Sequence, residues 1–76
     1  MQVDILTPDQ SLFSGEATSV SLPGVKGRFQ ILQRHAPLVS SLVKGEVVVE
    51  TSNGKEQFAI EGGIVEVLKN KVVILA

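Results

Sequence analysis

The 76-residue sequence contains no cysteine, no tryptophan and no tyrosine, and it has a single histidine. Without cysteine there is no disulfide and no thiolate metal site, and one histidine excludes the usual histidine-rich zinc sites. A chain of this size buries only ~60% of the surface that it exposes when unfolded, and small domains usually need a disulfide, a metal or a partner for stability. We therefore expect no metal and no cofactor. Binding to a partner is the remaining way in which so small a domain could gain stability.

The sequence also lacks a large excess of either charge and any long apolar run. Seven Lys and Arg residues against eight Asp and Glu residues give a net charge of −1. Nucleic-acid binders of this size usually carry a basic excess, and single-strand binders carry aromatic platforms that three phenylalanines do not supply. No apolar run approaches the ~20 residues of a membrane span, and no signal peptide follows Met1. We expect a globular, cytoplasmic chain that binds no nucleic acid.

The sequence is rich in apolar and polar residues that alternate with a period of two. Such alternation is typical of strands that turn one face to a core, and valine, isoleucine and phenylalanine suit these positions. No stretch of ten residues keeps a helical period, and the short segment Leu38–Val43 is interpreted as a strand. The pattern predicts seven to ten short strands in one all-β domain, a sandwich or barrel that spans residues 1–76. The alternation covers residues 17–22, 28–32, 46–50, 57–61 and 64–68.

Turn-forming residues separate these segments at short intervals. Asn53-Gly54 predicts a hairpin with a type I′ turn, because both residues tolerate the positive φ that this turn needs. Lys69-Asn70-Lys71 predicts a second tight turn, and Gly62-Gly63 predicts a bulge or a close backbone approach.

Two segments in the C-terminal half are apolar on both faces, Val47–Val49 and Val72–Ala76. A single small sandwich has only one interior. Apolar groups on the second face therefore indicate a surface that another molecule covers, or else central strands with ordinary exposed valines.

The sequence offers little for catalysis. His35 could serve as a general base near neutral pH, but no second group stands out to orient it, and a turn histidine that bonds backbone or faces a partner is favoured. The eight acidic residues are dispersed, whereas a glycosidase needs two opposed carboxylates. The glycine-rich segment Pro23–Arg28 does not match a P-loop, because its lysine is misplaced and no helix follows.

A carrier domain is the main alternative from another functional class. Biotinyl and lipoyl carriers are small β-rich modules that display one lysine at a hairpin tip. Lys55 and Lys71 both lie near tight turns, but neither is flanked by the methionines of such carriers, and Lys55 is followed by Glu56-Gln57. A generic β-rich interaction module is the third possibility.

Three motifs together resemble the ATP synthase epsilon subunit family. Gly27–Leu38 resembles its Gly-x-Phe-x-Ile-Leu-Pro-x-His-Ala-Pro-Leu signature, and Phe13–Ala17 matches the start of the family pattern. Glu61–Val67, followed by Asn70–Val72, is similar to the second signature. The three motifs occur in the right order and cover essentially the whole chain.

The resemblance implies a flattened antiparallel β-sandwich of about ten short strands and no catalysis by this subunit. It implies a place at the foot of the rotating central stalk, between the gamma subunit and the polar loops of the membrane c-ring. Such a subunit helps to couple ion-driven rotation to ATP synthesis. It is bound peripherally, through the complex, at the cytoplasmic face of the inner (plasma) membrane.

The motif positions imply two sets of contact residues. Thr7, Ser40 and Leu42 are expected on the gamma side. The residues expected to face the c-ring are Val25, Lys26, Gly27, Arg28, Arg34, His35, Ala36 and Pro37.

Two residues in the first signature depart from the family pattern. Gln33 stands where the family usually has proline, which fixes φ, so other contacts must hold this turn. Arg34 stands where the family has glycine or asparagine, and it adds a cation that we expect to meet acidic or polar loop groups.

Length is the larger departure. Family members commonly continue into two C-terminal helices that can inhibit ATP hydrolysis and that bind ATP in some cases. This chain ends at Ala76. We therefore expect neither the inhibitory helices nor ATP binding.

Overall fold

The computed structural model describes residues 1–76 and consists of strands joined by short turns. It has nine strands, one fewer than the ten that the family resemblance implied. They are β1 (Gln2–Leu6), β2 (Ser11–Glu16), β3 (Ser19–Gly24), β4 (Gly27–Leu32), β5 (Leu38–Leu42), β6 (Gly45–Thr51), β7 (Gly54–Ile60), β8 (Gly63–Leu68) and β9 (Lys71–Leu75).

The strands form two layers of a β-sandwich. One layer has the order β2-β1-β9-β8-β5 and the other has the order β4-β3-β6-β7. A single residue pair, Gly24 with Leu42, joins β3 to β5 and makes the two layers one continuous sheet. On the opposite side of the sandwich, the Phe13 ring of β2 lies 5.8 Å from the Phe58 ring of β7. The all-β sandwich is confirmed.

One pair of strands corrects the expectation of a purely antiparallel fold. β1 and β9 are parallel, with Val3 opposite Val72 and Ile5 opposite Ile74. Strand alternation shows which residues face the core, but it carries no information about strand direction. The parallel pair could therefore not be read from the sequence.

The core follows from the alternation of period two. Inward-facing residues of both layers form a cluster of 15 buried side chains, and partly buried phenylalanines pack around it. Eleven of these side chains are essentially inaccessible to solvent: Val3, Ile5, Val20, Leu22, Ile31, Val47, Val49, Val65, Val67, Val72 and Ile74.

The β6–β7 hairpin has a different turn from the one expected. Its turn residues are Ser52 and Asn53, neither of which has a positive φ, while Gly54 has φ 118° and pairs with Thr51 as the first residue of β7. The Asn53 amide donates to Thr51 Oγ1 at 3.1 Å, and this hydroxyl donates to the Gly54 carbonyl at 3.1 Å. The predicted hairpin is confirmed, but the predicted type I′ turn is wrong. The hydroxyl of Thr51 instead stabilises a turn in which Ser52 and Asn53 both have negative φ.

The β8–β9 turn is the one with two positive φ values. Lys69 has φ 51° and Asn70 has φ 59°, as a type I′ turn requires. The tight turn expected at this place is therefore confirmed. The Gly62-Gly63 prediction is also confirmed, because a Cβ atom on Gly63 would lie 2.1 Å from the Leu75 carbonyl oxygen.

Candidate functional site

Two loops that the sequence singled out lie at opposite ends of β4. We call the end with the β3–β4 turn the Val25 end, and the end with the loop Gln33–Pro37 the His35 end. The six residues of β4 span five rises of ~3.3 Å, so the two ends of the strand are about 17 Å apart. The structure therefore does not bring the eight expected ring-facing residues into one cluster.

The Val25 end is built by a tight hairpin turn. Gly24 pairs with Gly27, and Val25 and Lys26 form the tip, where Val25 is 66% exposed. Gly27 has φ 120°, which a residue with a side chain rarely adopts. A Cβ atom on Gly24 would lie only 2.8 Å from the Phe29 ring, so both glycines are needed for this compact turn.

The three residues expected on the gamma side lie toward the Val25 end. Ser40 lines the same shallow depression as Val25 and Lys26. Leu42 is buried and pairs with Gly24. Thr7 lies in the β1–β2 turn, where its amide and its hydroxyl both donate to the Gln10 carbonyl, at 2.8 and 3.1 Å.

The His35 end is held by a polar network around Gln33. The Met1 amine donates to Gln33 Oε1 at 2.8 Å, and Gln33 Nε2 donates to the Ala17 carbonyl at 3.2 Å. Asn70 Nδ2 donates to Gln33 Oε1 at 3.4 Å. The expectation that other contacts replace the family's proline is confirmed, because these bonds tie the loop to the chain start and to the β8–β9 turn.

Arg34 is fixed through its backbone. It has φ 60°, a value that glycine and asparagine tolerate better than arginine does. Its amide donates to Asn70 Oδ1 at 2.8 Å. This bond, the Asn70 clamp, sets the β4–β5 loop beside the β8–β9 turn.

His35 is an exposed turn residue. Its Nδ1 atom lies 2.7 Å from the carbonyl oxygen of the next residue, Ala36, so the tautomer protonated at Nδ1 donates to backbone. Pro37 ends the loop and β5 begins at the following residue. The arrangement agrees with the interpretation of His35 as a turn histidine that bonds backbone.

The outer face of the β1-β9-β8-β5 layer exposes a group of apolar side chains beside the charged residues Glu66 and Lys71. Ile64 pairs with Leu75, and these side chains are 46% and 53% exposed. Val39 of β5 is 68% exposed and Leu68 of β8 is 50% exposed. We call these four residues the apolar face. The expected apolar second surface is confirmed for β9, whereas Val39 and Ile64 were not singled out from the sequence, although both follow the alternation.

The outer face of the other layer is polar by contrast. Arg28 donates to Ser21 Oγ at 3.0 Å. The same face forms an open depression that mixes acids with bases and hydroxyls, among them Ser19, Gln30, Glu46, Glu50 and Lys55. The two faces of the sandwich thus differ in the kind of surface that they offer.

The two lysines considered for a carrier domain are not at hairpin tips. Lys55 pairs with Glu50 inside the β6–β7 ladder, beyond the Ser52–Asn53 tip. Lys71 begins β9, and its Nζ lies 3.8 Å from Asp4 Oδ2. Neither position presents a free lysine in the way that a swinging arm requires.

One acid of the β1–β9 region has a shifted pKa. Ser14 Oγ donates to Asp4 Oδ1 at 2.6 Å, and this bond is the main cause that lowers the Asp4 pKa below its ordinary value of 3.8. Partial burial opposes the shift, and the Gln2 amide and the Lys71 charge add to it.

Elsewhere, no three histidine or acidic side chains converge where they could hold a metal ion. The chain also forms no helix of the length and apolarity that crossing a bilayer requires.

Known proteins match this chain along its whole length. The family model described as ATP synthase, Delta/Epsilon chain, beta-sandwich domain, matches residues 1–76. The ATP synthase epsilon chain of Chlorobium limicola is 48% identical over 75 residues, which are 97% of this chain and 85% of that protein. The epsilon chain of Delftia acidovorans is 42% identical over 77 residues, and the match covers all of this chain but 56% of that protein.

Solved structures share the fold. A chain of the Euglena gracilis mitochondrial ATP synthase superposes with a TM-score of 0.89 at 25% identity, over 97% of this chain and 48% of that chain. A chain of the Tetrahymena thermophila mitochondrial ATP synthase superposes with a TM-score of 0.84 at 17% identity, over 97% of this chain and 60% of that chain. With nine strands in this arrangement and a family match from the first residue to the last, the chain belongs to the ATP synthase delta/epsilon chain family, through its β-sandwich domain.

Proposed function

We propose that the chain is a non-catalytic subunit of the ATP synthase rotor, and that it docks the gamma subunit to the membrane c-ring. Its place would then be peripheral, at the cytoplasmic face of the inner (plasma) membrane. The Euglena and Tetrahymena chains with the same fold come from assemblies described as OSCP/F1/c-ring and central stalk/c-ring. Family membership supports a place in the ATP synthase complex. The exposed surfaces of this chain support the proposed contacts with gamma and with the c-ring.

The apolar face is the observation that carries the proposal. It lies on the outside of the β1-β9-β8-β5 layer, where Leu75 and Ile64 form a cross-strand pair that is half exposed. Clustered apolar side chains on the outside of a small protein indicate a surface that a partner covers. We assign this face to gamma, because β5 and the turn after β1, where the motif places the gamma-side residues, belong to this layer, although Ser40 and Leu42 themselves lie on its inner side.

The c-ring would then meet the free edge of β4, in the other layer of the sandwich. β4 pairs only with β3, so its other edge is unpaired. The two candidate loops lie at its two ends, and they carry Val25–Arg28 and Arg34–Pro37. A contact along β4 would use both loops at once, which a single compact site could not do across about 17 Å.

Rigidity is the mechanical requirement of this role. A torque joint must transmit strain without absorbing it, and a close-packed interior has low compressibility. The sandwich has 15 core residues from both layers and no buried polar side-chain atom without a hydrogen-bond partner. No proton transfer by this chain is part of the proposal.

The apolar face can be tested with a matched pair of substitutions. Leu75 is 53% exposed on the apolar face, and Leu32 is 55% exposed on β4 of the other layer. We expect Leu75→Ser to weaken gamma binding about tenfold, since apolar contacts at an interface centre are typically worth over 1 kcal/mol. Leu32→Ser should leave gamma binding within about twofold, since contacts outside a hot spot are nearly neutral. Affinity for purified gamma, measured by titration calorimetry, decides the assignment, and equal effects of the two changes would contradict it.

The ring contact can be tested by cross-linking, because the chain has no native cysteine. Single-cysteine variants Val25→Cys and His35→Cys place one thiol at each end of β4. In the assembled complex, both should cross-link to c-subunits with a short thiol-reactive reagent. If either thiol cross-linked to gamma and never to a c-subunit, the assignment of that loop to the ring would be wrong.

A further inference from the structure

Two cations of the His35 end occupy backbone positions that do not suit them. Arg34 has φ 60° and Lys69 has φ 51°, and the only other residue with a side chain at positive φ is Asn70. The left-handed region costs an ordinary L-residue about 1–2 kcal/mol, whereas asparagine and glycine tolerate it. Strained backbone of this kind tends to persist at functional sites. The backbone conformation alone would favour asparagine at both positions. It therefore does not account for the cationic side chains that are present there.

The fold brings together the two turns that carry these cations. The Asn70 clamp joins the Arg34 amide to the turn in which Lys69 precedes Asn70. Lys71 follows that turn, so three cations border one corner of the molecule. We call Arg34, Lys69 and Lys71 the basic corner.

No acid of the chain neutralises Arg34 or Lys69. The three ion pairs within the chain join Met1 to Glu16, Lys44 to Glu61 and Lys71 to Asp4. Asp4 and Glu16, the acids nearest the corner, are therefore already paired. The remaining acid nearby is Glu66, which lines a depression beside Lys69 and Lys71 from the middle of β8.

From this geometry we infer that the basic corner is an electrostatic contact that receives carboxylate side chains of the c-ring loop meeting the His35 end. The inference rests on the proposed function, because it names the chemistry of a contact that the proposal assigns. Arg34 and Lys69 supply the two unpaired charges, and the Asn70 clamp holds both turns in place before binding.

The test removes the two charges without adding strain. The double variant Arg34→Asn, Lys69→Asn carries asparagine at two left-handed positions, so its thermal stability should equal or exceed that of the unchanged chain. The control is Lys44→Gln, Lys55→Gln, which removes the same charge from positions outside the corner. Each full chain is titrated onto a purified gamma–c-ring assembly at about 50 and about 300 mM salt, because screening grows across this range.

We expect the asparagine variant to bind about three- to tenfold more weakly at the lower salt concentration, as the loss of two exposed ion pairs implies. Its affinity should also depend less on salt than that of the unchanged chain, while the control behaves like the unchanged chain. A second variant, Arg34→Asp with Lys69→Asp, should bind more weakly still and recover as salt rises, because like charges then face each other.

Three outcomes separate the possible failures. If the unchanged chain does not bind the assembly, the proposed function itself fails. If it binds but the asparagine variant keeps the same affinity and salt dependence, the electrostatic contact fails and the proposed function stands. If the variant instead loses affinity only for vesicles of anionic lipid, the corner recognises phosphate headgroups, and the assignment to c-ring carboxylates is overturned.

Discussion

The Asn70 clamp leads to a prediction that can be worked out in detail. Asn70 contributes in three ways: it adopts φ 59°, its Oδ1 accepts the Arg34 amide at 2.8 Å, and its Nδ2 donates to Gln33 Oε1 at 3.4 Å. Three substitutions, all of which lose the long bond to Gln33, separate the first two contributions. Asn70→Asp keeps the Arg34 acceptor and tolerance of this φ, Asn70→Gly keeps only tolerance of the φ, and Asn70→Ala keeps neither.

The magnitudes follow from the two terms. Loss of one hydrogen bond costs about 0.5–1.5 kcal/mol of unfolding free energy, and an alanine in the left-handed region costs about 1–2 kcal/mol more. Glycine adds flexibility to the unfolded chain and lowers stability by up to about 1 kcal/mol. We therefore expect the unfolding free energy to fall by less than ~0.5 kcal/mol in Asn70→Asp, by about 1–2 kcal/mol in Asn70→Gly and by about 2–3 kcal/mol in Asn70→Ala. At about 4–8 °C per kcal/mol for a domain of this size, alanine should lower Tm by roughly 8–24 °C.

Hydrogen exchange gives the more specific measurement. The Arg34 amide should be protected in the unchanged chain and in Asn70→Asp, and it should exchange faster in Asn70→Gly even where the core amides stay protected. Thermal unfolding by circular dichroism supplies the stability ranking. An Arg34 amide that remains equally protected in the glycine variant would refute the clamp, since the loop would then be held by something else.

Two further predictions concern stability alone. Gly63→Ala should destabilise the fold by more than about 4 kcal/mol in urea unfolding, because its Cβ would lie 2.1 Å from a backbone carbonyl. Gly62→Ala, with φ 140° but no atom closer than 3.4 Å, should lose only about 1–3 kcal/mol, and equal losses would contradict the role of the clash. Asp4 has a lower pKa in the folded than in the unfolded chain, so it contributes stability above pH 3.8 that is lost as the pH falls through the folded value. Asp4→Asn should therefore flatten the acid side of the stability profile below that pH, and an unchanged acid midpoint would contradict this.

Much of the fold could be predicted because burial follows side-chain alternation. Val65 and Val67 face the core and Glu66 faces out, as the period of two requires. The chain direction of β1 beside β9 and the type of the β6–β7 turn could not be predicted in the same way. The first depends on how distant segments meet, and the second depends on the hydroxyl of Thr51, whose contribution a turn dipeptide does not show.

The contact residues could be predicted only as positions in a motif. The alternation of residues 28–32 already predicts a strand between Lys26 and the pair Arg34 and His35, but the motif gives only their order along the chain. It also says nothing of the Asn70 clamp, which joins residues that are 36 positions apart. Asn70 itself had a visible signal, since it was expected to occupy a tight turn.

The parallel pairing of β1 with β9 has a consequence for how the protein acquires its structure. During synthesis, β1 has only β2 to pair with until β9 has left the ribosome, because β9 supplies its other neighbour. One whole layer thus waits for a contact between segments some 70 positions apart. Contacts between such distant segments slow folding, because the long loop between them must close, at a cost in entropy, before the stabilising contacts form. Loss of β9 would leave β1 paired only with β2 and β8 paired only with β5, so we expect a nascent chain that stops at Asn70 to remain open to proteases.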